Sequence, residues 1–338
     1  MSAASNIEWT DSTHNAWEGC QKVGPGCDHC YAERRNARFG SGTAINWGPG
    51  APRRLTSLHN RNQLRKWDRQ HEAFFAEHGR RQRVFCSSLS DVFDNAVDPA
   101  WRNDLFAEMT ACTHLDLLVL TKRIGNVAGM VPDAWMEPGG WPAHVRIGAT
   151  IVNQAEADRD LPKLLELPCA NFVSMEPLLG PVDLGHALAR AGSCSAEAPK
   201  AQPPMRGLDW VIVGGESGPG ARPMHPAWAR GLRDQCAAAG VPFMFKQWGE
   251  WLPGSEFTQE LCSSDRDPAQ SKFLCATWRD GAWSESRLPS EAIHFSHEPM
   301  YRVGVNAAGR DLDGVRHDGV PTTQHNIATA DPTLTTST

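Results

Sequence analysis

No run in this 338-residue chain approaches the roughly 20 consecutive apolar residues that a membrane helix requires. Its opening residues hold neither a basic segment nor an apolar stretch of the signal-peptide kind. The expectation is a soluble, cytoplasmic protein with no membrane partner. An overall basic balance is also lacking, and a net charge of -6 excludes a uniformly basic nucleic-acid coat. The charge is uneven, however: residues 1–90 carry a net +5 and the remainder a net -11. Ten cysteines are too few to staple a chain of this length, and in an unexported protein they stay reduced. There is no second CxxC pair and no internal repeat. What is present is 41% hydrophobic residues against 21% charged ones, enough to bury a large core.

Short apolar runs alternate with helical patterns between about residues 83 and 251. Strands are expected at 83–87, 115–121, 145–151, 171–175, 209–214 and 242–246, with a first strand or its substitute near 7–9. Helices are expected from Asp98 and Pro99 onward, over 154–167 and over 226–239. Continuously apolar strands separated by helices suit a parallel sheet covered on both faces. Seven such strands in about 245 residues point to a TIM-like (β/α) barrel, full or partial; an open doubly wound sheet is the competing architecture. On this reading residues 1–251 form the barrel and 252–321 a small irregular β extension packed on it, with a hairpin at 279–282. Residues 191–206 read as an exposed loop and 322–338 as a disordered tail.

Polar residues recur just after these strands: Asp91, Lys122 with Arg123, Thr150, Glu176, Glu216 and Lys246 with Gln247. The carboxyl ends of parallel strands form the ligand face of such folds, so the series marks a functional rim.

The sharpest feature is Cys20-x6-Cys27-x2-Cys30, three thiols within eleven residues separated by Gly24, Pro25 and Gly26. A loop of that composition can wrap around one centre. Three chemistries fit the spacing. Zinc would need a fourth ligand, for which His14 or His29 is near in sequence. A redox CxxC would normally follow a strand of a thioredoxin-like unit. An iron-sulfur cluster held by three thiolates would keep one iron open. Cys86, Cys112, Cys169 and Cys236 lie within or beside apolar or helical stretches and read as inert core thiols, while Cys194, Cys262 and Cys275 fall in irregular segments.

Seven blocks carry a family resemblance: IEWTDSTHNAWEGCQKVGPGCDHCYAERR, FCSSLSDVF, LVLTKR, FVSMEPLLGPVDL, DWVIVGGESGPGARPMHPAW, RDQCAAAGVPFMFKQWGEW and VNAAGRDLDG. Over residues 6–252 and about 301–321 the chain resembles the phage-associated three-cysteine-motif proteins, of unknown function. That family in turn resembles the radical S-adenosylmethionine superfamily. The resemblance implies a 4Fe-4S cluster on Cys20, Cys27 and Cys30, with S-adenosylmethionine on the open iron. One-electron cleavage of its sulfonium would give a 5′-deoxyadenosyl radical. The sequence departs from the superfamily in having six residues rather than three in the first gap, and His29 rather than an aromatic before the third cysteine.

The resemblance also gives conditional roles to the strand-end residues. Ser87, Ser90 and Asp91 would meet polar groups of S-adenosylmethionine, Lys122 a carboxylate or phosphate, and Glu216 a substrate or the cofactor ribose. Glu176 and Lys246 would complete the ring. For the substrate, Arg34, Arg35, Arg38, Arg53, Arg54, Arg61, Arg65 and Arg69, with Trp47 and Trp67, form a basic run suited to a nucleotide or nucleic acid. The alternative is a zinc-stabilised protein that binds nucleic acid or a protein partner without redox chemistry.

Overall fold

The computed structural model describes residues 5, 7–188, 207–256, 272–289 and 299–321. Seven parallel strands form one sheet in chain order: β1 (Ser12–His14), β2 (Gln82–Cys86), β3 (Leu115–Thr121), β4 (Val145–Thr150), β5 (Asn171–Met175), β6 (Val211–Gly214) and β7 (Phe243–Gln247). Each strand pairs only with its chain neighbours, and the described strands show no pairing of β7 with β1. The sheet therefore winds in one direction without a switch point. It is a curled half-barrel, the partial form of the expected TIM-like fold, and the doubly wound alternative is excluded.

Local chemistry sets the helices between these strands. Asp98 caps the helix α2 (Pro99–Ala111) by accepting from Ala100 N at 2.9 Å, with proline at the first helical position; α1 is Tyr31–Phe39. Asn153 caps α3 (Gln154–Leu165) through Glu156 N, and the Glu156 carboxylate reaches back to Val152 N. The last crossover helix, α4 (Pro226–Ala239), stops at Gly240 in the left-handed conformation.

The first strand differs from expectation. The apolar stretch 7–9 is not a strand; β1 lies at Ser12–His14, and Trp9 is instead packed inside the half-barrel. There Trp9, Phe85, Leu118, Phe172, Trp210, Ile212 and Met244 form a separate apolar cluster on the concave face. Trp9 lies 4.6 Å from the Phe85 ring and 5.9 Å from that of Phe172. Gly148 makes room for this cluster, since a Cβ there would fall 2.3 Å from the Phe172 ring. The larger core lies on the convex side, between sheet and helices. It encloses Cys86, Cys112, Cys169 and Cys236, as expected of inert thiols. Burial pushes Cys112 and Cys236 up to about 12.

Beyond β7 the chain forms a four-stranded antiparallel sheet, more regular than its sequence suggests. Its strands are β8 (Trp251–Pro253), β9 (Lys272–Arg279), β10 (Ala282–Pro289) and β11 (Pro299–Arg302), in the order β8-β11-β9-β10. The expected hairpin joins β9 to β10 through Asp280 and Gly281, both at positive φ, the geometry of a type I′ turn. Cys275 is buried in β9 rather than in an irregular segment. Trp278 and Trp283 pack this sheet on Trp228 of α4, with ring centroids 5.0 and 6.1 Å away. Residues 317–319 then return to the edge of β7: Phe245 N donates to His317 O and Gly319 N to Phe243 O. The expected loop at 191–206 and tail at 322–338, with Cys194 and Cys262, lie outside the described residues. No described helix is long and apolar enough to cross a membrane.

Candidate functional site at the mouth of the half-barrel

A cavity of about 370 Å³ opens at the carboxyl ends of the strands, above the concave apolar cluster. Its walls include all ten residues expected at the site: Cys20, Cys27, Cys30, Ser87, Ser90, Asp91, Lys122, Glu176, Glu216 and Lys246. Trp9, Phe85 and Leu120 supply its apolar floor. These residues come from five strand ends and the cysteine loop, and the consecutive strand order brings them to one rim.

The cysteine loop lies along that rim. Cys20 is fixed by backbone: Gly19 N donates to Leu89 O at 3.1 Å, and Cys20 O accepts from Gly48 N at 2.9 Å. Residues Pro25–Cys27 form one 3-10 turn, after which α1 begins at Tyr31. Gly26 is packed so closely that a Cβ would lie 2.8 Å from the Val152 side chain and 3.5 Å from that of Lys122. Cys27 is buried, and Cys20 and Cys30 are half-buried. Burial, with Asp91 adding to it, pushes the Cys20 thiol up to about 11, against the opposing pull of Arg123.

The acidic residues fall into two kinds. Asp91 and Glu216 have their oxygens taken up by backbone N–H groups together with an arginine. Asp91 accepts from Thr121 Oγ1 (2.7 Å), Lys122 N (3.1 Å), Arg123 Nη1 (2.9 Å) and Phe93 N (3.0 Å), and so brackets the start of the β3 exit loop. Glu216 accepts from Arg222 Nη2 (2.8 Å), Nε (2.9 Å) and N (2.8 Å), and its Oε2 lies 3.0 Å from His29 Nδ1. Burial opposes ionisation of Glu216, but the bonds from Arg222 and His29 outweigh it and hold its carboxyl below the ordinary value. Glu176 is paired instead with side chains of β7 on the same wall: Lys246 Nζ lies 2.6 and 2.9 Å from its two oxygens, and Gln247 Nε2 donates to Oε1 at 3.3 Å. Lys122 Nζ reaches Thr150 Oγ1 at 3.4 Å.

Two hydroxyls stand apart. Ser87 Oγ and Ser90 Oγ are buried on the cavity wall and have no hydrogen-bond partner among the described residues. A buried, unpaired hydroxyl costs about 1–3 kcal/mol, a cost that a bound polar ligand would remove. The backbone at Ser87 also carries a positive φ of 73°, a conformation a serine adopts only when its surroundings impose it.

The chemistry of this donor set, three thiols of one loop on the cavity wall, is of the kind that a three-thiolate cluster site uses. No three His, Cys, Asp or Glu side chains among the described residues converge closely enough to share one ion. The expected fourth zinc ligands are engaged elsewhere. His14 Nε2 lies 3.3 Å from Arg61 O at a second cavity, and burial pulls its pKa down to about 4. His29 is turned onto Glu216.

The basic run is not the continuous surface its sequence suggests. Arg53 is buried against Asp94, with Nε 2.8 Å from Oδ2. Arg35 and Arg54 pair with Glu18, Arg65 with Glu108, and Arg34 donates to Ser217 O and Pro219 O. Trp67 is buried in the core, while Trp47 lines the cavity. Two residues that sequence reasoning missed matter more. Arg222 joins Glu216 to the cysteine loop, and Trp9 forms the floor. The GGESGPGAR block held the first signal, a glutamate six residues before an arginine across a glycine-rich turn.

Among solved structures, the chain is similar to spore photoproduct lyase. A mutant form with bound AdoMet and dinucleoside spore photoproduct shares 13% identity at a TM-score of 0.36, covering 86% of this chain and 72% of that one. The complex with dinucleoside spore photoproduct shares 11% identity at a TM-score of 0.35, with the same coverage. No curated protein matches the sequence. Matched over residues 4–321, the chain belongs to the DUF5131 family, proteins of unknown function.

Proposed function

We propose that the protein is a radical S-adenosylmethionine-type enzyme that acts on a nucleotide or nucleic-acid substrate. The observation that carries the reading is the meeting of three thiols and two unpartnered buried hydroxyls in one cavity at the carboxyl end of a parallel half-barrel. Cys20, Cys27 and Cys30 would hold a 4Fe-4S cluster, leaving one iron for S-adenosylmethionine. When bound and given an electron by an external reductant, these groups would supply reductive sulfonium cleavage and hydrogen abstraction from carbon.

The chain's own residues have distinct tasks in this reading. Ser87 and Ser90 donate to polar groups of the cofactor. Lys122, close to Gly26 of the cysteine loop, meets its carboxylate. Asp91 and Glu216 act through Arg123 and Arg222, fixing the rim rather than touching ligand. The Trp9 and Phe85 floor excludes water from the reacting carbon and offers ring faces to a nucleobase. The Lys246–Glu176 ion pair lines the same cavity and would orient the substrate.

The test is anaerobic purification, reconstitution with iron and sulfide, and measurement of both alongside the visible spectrum. About four irons and four sulfides per chain, with a broad band that bleaches on reduction, are expected. Incubation with S-adenosylmethionine and reductant should then yield 5′-deoxyadenosine. One tightly held zinc and no colour after reconstitution would overturn the reading and leave a zinc-stabilised binding protein.

A further inference from the structure

We infer that Arg222 is a positioning residue, the clasp that locks the Cys27 and Cys30 end of the cysteine loop onto the half-barrel. The two ends of the loop are held differently. At Cys20 the main chain itself is bonded to the body of the protein, through Gly19 N to Leu89 O and Gly48 N to Cys20 O. Further along, Cys27 N and Asp28 N bond back to Gly24 O and Pro25 O, within the loop. The barrel reaches this end through side chains: Tyr31 Oη donates to Ser88 O and Arg34 to Ser217 O at the start of α1, His29 lies against Glu216, and Arg222 holds the turn that carries Cys27. Arg222 Nη2 donates to Pro25 O at 2.8 Å and Nη1 to Asp28 Oδ2 at 2.9 Å.

The guanidinium is itself fixed from behind. Glu216 takes Nη2 and Nε on its two oxygens, accepts from Arg222 N, and lies against His29 Nδ1. One planar fork thus spans a carboxylate on the barrel and two acceptors on the loop. Lysine, with a single nitrogen, cannot reproduce that geometry. Glu216 follows β6, whereas the loop follows β1, so the clasp also bridges the side on which the sheet fails to close. Arg123, which donates to Gln21 O at 2.9 Å and lies 3.5 Å from Cys20 Sγ, serves the other end.

The inference concerns the loop's geometry and holds whichever metal the thiols take, so it is tested on metal-free protein. The full-length chain is treated with iodoacetamide under native conditions, and the rate at each cysteine is followed by peptide mass spectrometry. Arg222→Met is expected to raise the rates at Cys27 and Cys30 about tenfold, the loss of one or two charge-assisted hydrogen bonds, while Cys20 stays within about twofold. Glu216→Gln should give the same pattern by releasing the guanidinium from behind, and Arg222→Lys an intermediate one. Unchanged rates at Cys27 and Cys30 would overturn the inference. So would an equal rise at Cys20 and at the core thiol Cys86, which would make Arg222 a general stability element. Failure of cluster reconstitution with the site-selective pattern intact would count against the proposed chemistry and not against the clasp.

Discussion

Beneath the cavity Trp9 packs its ring against Phe85 and Phe172 to make the floor, whereas at the rim the cysteine loop is held by the guanidinium groups of Arg123 and Arg222. The two regions lie in the same half-barrel and are built by opposite means. The floor gains by removing apolar surface from water, which is insensitive to direction. The rim depends on charge-assisted hydrogen bonds, which place an atom in a stated position but must first offset the cost of burying the charges. A site that needs three thiols at fixed positions above a dry surface requires both. The difference also locates mobility: local opening should begin at the rim, where few apolar contacts hold the loop, and reach the floor only on global unfolding.

This contrast can be broken at either end. The largest effect is expected from Trp9→Ala, which opens the floor cluster and should cost about 4 kcal/mol, read as a shift in the urea midpoint with little dependence on salt. Asp94→Ala, behind the rim, should cost about 3 kcal/mol because it leaves Arg53 buried without its partner. The double variant Arg53→Met/Asp94→Leu should recover most of that loss. A double variant as unstable as the single one would show that the pair supplies specific geometry rather than mutual neutralisation. The smallest effect on folding is expected from Ser90→Ala. Its hydroxyl has no partner to lose, so stability should stay within about 0.5 kcal/mol. Calorimetric affinity of the reconstituted protein for S-adenosylmethionine should nevertheless fall about tenfold. Unchanged affinity would assign the orphan hydroxyl to some other ligand.

Much of the scaffold was legible because β2 to β7 are built around short apolar runs, a pattern that needs no knowledge of the partners. β1 was not legible, for a physical reason. Ser12 and His14 are buried polar residues, and Gln82 Nε2 donating to Ser12 Oγ at 2.9 Å supplies a partner 70 positions away. Hydropathy assigned the strand to the neighbouring apolar residues and so misplaced Trp9. At the site, strand-end position was enough to find the rim residues, since the topology brings every parallel strand to the same face. Their individual tasks could not be read in the same way. Asp91 and Glu216 look alike in sequence to Glu176, and only their partners, an arginine for each of the first two and Lys246 for the third, tell them apart. The basic run misled for the same reason, because the carboxylates that pair with Arg53 and Arg65 come from distant segments.

The return of residues 317–319 to the edge of β7 has a consequence in time. During synthesis the last parallel strand is complete about 70 residues before its cover is made, an interval of several seconds at ordinary elongation rates. Over that interval β7 presents an open row of peptide groups, a template for another chain. Val320 also packs against the concave cluster, and Trp210 Nε1 donates to Gly319 O at 2.8 Å. The final described residues thus close the edge and the floor together, and a chain cut short before them would leave the ribosome with its sheet both unpaired and unplugged.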